Sequence, residues 1–181
     1  WSLFFQSVKV STVAVGLLGY STFPVFVSLL EPFFFKEKMS AREVSLAVIA
    51  FAGVAAIIPS FDISDNMVRG VFWGVLSGLT FALLSLGNRR YARKYPGLLI
   101  AWYETMTAAI FLWGALLSVS SLPNGRDLLL LAFLGIVSTA IAHALFIGGM
   151  RNVKARSASV IATLEPVYGI AFAAMILAEL P

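Results

Sequence analysis

Four ionisable side chains stand inside long apolar runs: Glu31, Glu104, His143 and Glu165. An unpaired charge is costly there, so a functional role is the default expectation. Glu104 lies eight residues beyond Pro96, His143 eight before Arg151, and Glu165 nine beyond Arg156. At about 1.5 Å of rise per helical residue, each is roughly 12–14 Å from one edge of a hydrocarbon core about 30 Å thick. Three helices would therefore bring Glu, His and Glu to one level near mid-membrane. Polar or aromatic companions share their faces: Thr107 three residues after Glu104, Thr139 four before His143, and Tyr168 and Phe172 three and seven after Glu165. Carboxylates and an imidazole at that depth suit a cationic or zwitterionic solute, or a coupling proton. The plainer alternative is that they pair with one another, or with backbone freed by Pro166, to hold a bundle together. Glu31 is only five residues from Lys36 and can reach the headgroups, so it ranks below the other three.

The elements that must position these groups follow from composition. Mean hydropathy is +0.92, hydrophobic residues make up 60% of the chain and charged residues 12%, against about 45–50% and about 25% in soluble domains. The surplus calls for the bilayer as solvent. Six apolar runs are long enough for helical spans, at 12–35, 44–60, 68–87, 97–118, 128–149 and 157–178, and residues 1–8 read as the tail of another. The runs lack the alternation of a barrel, so the expected fold is all-α, a polytopic membrane helical bundle. The connections are short and carry turn and charge signals, such as Pro123-Asn124-Gly125. The chain starts at Trp1 within an apolar stretch and is expected to be incomplete.

A sequence element occurs twice. Pro24-Val25-Phe26 interrupts one run and Glu37 follows Pro24 by thirteen residues; Pro166-Val167-Tyr168 returns with Glu179 at the same interval. Of the 13 lysines and arginines, all but Lys9, Arg69 and Arg126 fall in the loops after the first, third and fifth full spans. The positive-inside rule places those loops, 36–43, 88–96 and 151–156, in the cytoplasm. Pro24 then lies on a span entering from outside and Pro166 on one entering from inside, which is the signature of two inverted-topology repeats. The expected division is 1–60 as the end of one repeat, 61–67 as the linking loop and 68–181 as the second repeat. Each proline removes a backbone hydrogen bond and frees a carbonyl that needs a partner. Glu37 and Glu179, at span ends, read as structural or gating elements, as do Pro24 and Pro166.

Gly70, Gly74, Gly78 and Ala82 recur every fourth residue, a stripe that admits another helix closely. Its partner is expected to be a helix of the same chain rather than a second copy in a homodimer. A lone histidine and no cysteines argue against multi-histidine or thiolate metal sites. No Gly-rich phosphate loop is present, and the pI near 9.6 reflects membrane-orienting loops rather than a nucleic-acid surface. No cofactor is implied, and the chain does not read as an enzyme.

Thr163-Leu164-Glu165-Pro166-Val167-Tyr168 through Glu179 resembles the ninth span of EamA-type carriers of the drug/metabolite transporter superfamily. Pro24 to Glu37 is similar to their fourth span, Gly135 to Met150 to their eighth, and Gly70 to Tyr95 to their sixth with its basic loop. The resemblance covers nearly the whole chain, from the end of the third span through the ninth of ten. It implies two inverted five-span repeats around a central cavity, in a bacterial plasma (inner) membrane. It also implies a secondary transporter that exports small metabolites or drugs, commonly driven by an ion gradient. Glu104, His143 and Glu165 carry over as cavity-facing positions. The alternatives are a passive facilitator, or a non-transporting scaffold that assembles through the glycine stripe.

Overall fold

The computed structural model describes residues 1–36, 65–114, 123–162, 164–172 and 174–175, with positions 41, 44, 45, 48, 49, 52 and 53 between them. All regular structure among these residues is helical: α1 Ser2–Val10, α2 Val13–Tyr20, α3 Phe23–Phe35, α4 Asn66–Ala92, α5 Gly97–Leu112, α6 Gly125–Phe133, a π-helical segment Leu134–Ile141, α7 Ala142–Gly149, α8 Ala155–Ala162 and α9 Leu164–Phe172. Among the described residues three stretches are long and apolar enough to cross a membrane: Val13–Phe35, Asn66–Ala92 and Gly125–Gly149; Gly97–Leu112 is apolar but shorter. Most of the span expected at 44–60, and the ends of those expected at 97–118 and 157–178, lie outside the described residues. Apolar side chains cover the outer surface, Phe111 being 83% exposed. Hydrocarbon accommodates such a surface and water does not. The fold is that of an all-α membrane protein.

Helix starts are set by local chemistry. Thr12 caps α2, its hydroxyl accepting from Val15 N–H at 3.2 Å. Asn124 and Asp127 close a reciprocal capping box that starts α6, at 2.9 and 3.2 Å. The chain forms two compact units, Trp1–Leu86 with Ala155–Pro181, and Gly87–Lys154. Their border falls within α4, so it reflects packing and leaves open where one repeat ends.

In the first unit, the span beginning at Val13 is two helices rather than one kinked helix. The chain breaks at Ser21-Thr22 and restarts at Phe23, so Pro24 stands in the first turn of α3. Pro24 thus lies within the span Val13–Phe35, as expected, but in the first turn of its second helix, where N–H positions are unbonded in any case and proline costs little. Two hydroxyls bond carbonyls at the break, Ser21 Oγ donating to Leu18 O at 2.6 Å and Thr22 Oγ1 to Gly19 O at 2.8 Å, the latter also accepting from Thr22 N–H at 3.2 Å. Pro166 lies among the helical residues of α9.

The glycines of α4 meet this break. A Cβ on Gly74 would stand 3.0 Å from both the Gly16 carbonyl oxygen and Gly19 Cα, and one on Gly78 would stand 2.9 Å from the Tyr20 carbonyl oxygen. Gly70 faces Ser11 and Val15, and its carbonyl accepts from the buried Ser7 hydroxyl at 2.6 Å. Next to these contacts Tyr20, Phe23 and Phe81 pack ring on ring with centroids 5.1–5.5 Å apart. Two features that look independent in the sequence, the proline and the stripe, thus meet at one helix crossing. Gly87, on the same helix, faces open space: a Cβ there would have nothing within 4 Å. Gly74→Ala should therefore destabilise the protein by about 1–3 kcal/mol, while Gly87→Ala leaves it level or raises it; thermal unfolding in detergent compares the two. Equal midpoints would remove the stripe from the packing account.

Candidate functional site

The polar pair in the second unit is built on small residues. Gly97, Ala101 and Glu104 lie on one face of α5, and Ala144 and Gly148 lie on the facing side of α7. A Cβ on Gly97 would come within 2.5 Å of the Ala144 carbonyl oxygen and 2.7 Å of Gly148 N, and Ala101 is buried. Backbones this close let two short reaches meet one step further along. His143 Nε2 stands 2.7 Å from Glu104 Oε2. The side chains are 16% and 23% exposed respectively, so the pair is largely enclosed yet not sealed. The depth matching that puts Glu104 and His143 at one level is thus accompanied by direct contact. The glycine–alanine face that makes it possible is not singled out by the sequence reading, although Gly97-x3-Ala101 and Ala144-x3-Gly148 have the same small-residue spacing as the α4 stripe.

The surroundings differ from a simple α-helical reading. The π-helical segment ends two residues before His143, and Thr139 Oγ1 donates to Leu134 O, five residues back, at 2.8 Å. A π turn takes up an extra residue and rotates the faces that follow, which changes the register between Thr139 and His143; such segments occur often at functional sites. Thr107 is exposed, and its hydroxyl donates to Tyr103 O at 2.7 Å. Both threonine hydroxyl protons are committed to their own helices, leaving oxygen lone pairs for a solute.

Glu165 and Tyr168 belong to the first unit, on α9, and both are exposed. A Cβ on Gly169 would stand 2.6 Å from Leu17 Cδ1, which sets α9 against α2. Glu37 and Glu179 lie outside the described residues. Among the described residues no group of three or more His, Cys, Asp or Glu is arranged to hold a metal ion.

The strongest departure from the expected ranking is Glu31. It is fully buried, its Oε2 accepting from Arg156 Nε at 2.7 Å and its Oε1 from the Arg156 backbone N–H at 3.4 Å. Arg156 is the second residue of α8, so one carboxylate holds both the guanidinium and the N-terminal end of a helix packed on α3. The sequence signal is limited: Glu31 precedes a proline and Arg156 opens an apolar run, but they are 125 residues apart.

Residues 68–181 match the EamA-like transporter family. Two Bacillus subtilis proteins, named uncharacterized transporter YxxF and uncharacterized transporter YwfM, are each 28% identical to this chain, over 94% and 91% of it and 56% and 57% of their own lengths. An uncharacterized transporter of Archaeoglobus fulgidus is 27% identical over 60% of the chain and 38% of its own length. The chain thus spans little more than half the length of the Bacillus relatives. A solved crystal structure superposes with a TM-score of 0.70 over 99% of this chain and 64% of its own, at 23% identity, and shares the fold.

If Glu104 and His143 act as a unit, their replacements should not add. Glu104→Gln and His143→Gln, singly and together, should show a coupling of about 0.5–3 kcal/mol in denaturation in detergent. Additive losses would mean that the contact carries no energy of its own.

Proposed function

This chain belongs to the EamA-like transporter family, and we propose that it forms part of a secondary carrier that exports small metabolites or drugs by alternating access and is coupled to protons. Transport across a membrane is what the family and the transporter-named relatives share. Direction, coupling and solute class are the proposal. The reading includes two inverted repeats meeting near residues 61–67, and an inner-membrane location with the loops at 36–43, 88–96 and 151–156 cytoplasmic.

The observation that carries it is the His143–Glu104 contact of 2.7 Å between two apolar helices. With a neutral imidazole the pair has a net charge of minus one; a further proton on the ring makes it neutral. The empty pair therefore attracts either a proton or a cationic solute, and each weakens binding of the other, since linkage is reciprocal. Mutual exclusion at one site exchanges the two in opposite directions once the site opens alternately to each side. Threonine oxygens at Thr107 and Thr139 supply acceptors nearby, and Glu165 with Tyr168 forms a second polar surface on α9. The scaffold alternative is weakened because Gly70, Gly74 and Gly78 of α4 are engaged by α1, α2 and the segments flanking α2 within the chain.

In vesicles containing the whole protein, an imposed proton gradient should drive movement of a lipophilic organic cation. Glu104→Gln should reduce the gradient-driven rate by about tenfold or more, while Glu165→Gln lowers it with normal expression. Gradient-driven transport unchanged by Glu104→Gln would overturn the role of the pair, and unchanged transport in Glu165→Gln would remove that residue from the mechanism.

A further inference from the structure

We infer that the Glu31–Arg156 ion pair is a gate at the cytoplasmic edge, closed in this conformation and broken when the carrier opens to that side. The inference rests on the alternating-access reading above. The pair joins α3, which lies before the family match at 68–181, to α8, which lies within it. In the two-repeat reading it therefore joins a helix of one repeat to a helix of the other. Its position is that of an edge: Lys36, in the left-handed conformation, ends α3 five residues after Glu31, and Arg151 and Lys154 lead into α8. The Arg156 side chain is 25% exposed while that of Glu31 is 0% exposed, so the contact is dry on one side and close to solvent on the other.

An ion pair suits this task better than an apolar contact of similar size. Removing one partner in the dry state leaves an uncompensated charge, so the closed form is held firmly. Admitting water as the mouth opens hydrates both groups and offsets the lost contact, whereas an apolar seal would expose hydrocarbon surface on opening. The carboxylate also satisfies a backbone N–H at the start of α8, so the gate closes only in one register of α3 against α8.

The chain lacks cysteine, so a thiol placed at Tyr168 reports water access in whole protein freed of any other cysteines. Labelling is followed with a membrane-impermeant thiol reagent on oriented vesicles. Glu31→Gln should raise labelling from the cytoplasmic side by about tenfold, and exchange of the charges, Glu31→Arg with Arg156→Glu, should restore the original rate. In a second set, Glu31→Cys with Arg156→Cys, joined by a short bifunctional thiol reagent, should block cytoplasmic labelling and transport. This set keeps the contact covalently and decides the matter where Glu31→Gln fails to fold. Cytoplasmic labelling unaltered in Glu31→Gln, or transport undiminished in the joined protein, would overturn the gate while leaving the carrier intact. A reporter that labels from neither side in the parent protein would remove the carrier reading and the gate with it.

Discussion

A polar group surrounded by hydrocarbon must find its partner inside the protein, and the described parts of this fold depend on that constraint. The broken turn before α3 is the plainest case. Proline at position 24 cannot donate, the helix stops at Tyr20, and Ser21 and Thr22 turn their hydroxyls onto the carbonyls of Leu18 and Gly19. The glycines of α4 then bring a neighbouring backbone against the same place. Helix contacts in membranes gain little from hydrophobic burial, since lipid tails are as apolar as leucine, so close backbone approach and hydrogen bonding carry more of the stability.

Charged groups obey the same rule in two places, with different consequences. Glu104 and His143 meet at 2.7 Å on one pair of helices. Glu31 is held by both the side chain and the backbone of Arg156 on another helix. The first arrangement answers to what binds it, and the second to how α3 and α8 stand against each other. In the proposed carrier the first would exchange cargo and the second would decide which side is open.

Much of this is legible in the sequence. Apolar run length locates the helix Asn66–Ala92 and the stretch Gly125–Gly149 to within a few residues at each start, and depth counting from loop charges brings Glu104 and His143 to one level. What is not legible requires knowledge of neighbours. The expected α-helical face linking Thr139 to His143 does not anticipate the π-helical segment, because none of its residues signals an extra residue per turn. Glu31 ranks low in sequence because its own helix offers water at Lys36; its burial depends on α8, far along the chain. Pro24 marks an interruption in the sequence, but that the run divides at Ser21-Thr22 into two helices is not spelled out by the proline alone.

The central claim is that the Glu104–His143 pair holds either a proton or a cation, and proton release at equilibrium tests it most directly. A lipophilic organic cation is titrated into the whole protein in detergent, calorimetrically, in buffers of differing ionisation enthalpy. The expected result is release of about one proton per cation bound, lost in Glu104→Gln. Binding without proton release, or equal release from Glu104→Gln, would contradict it.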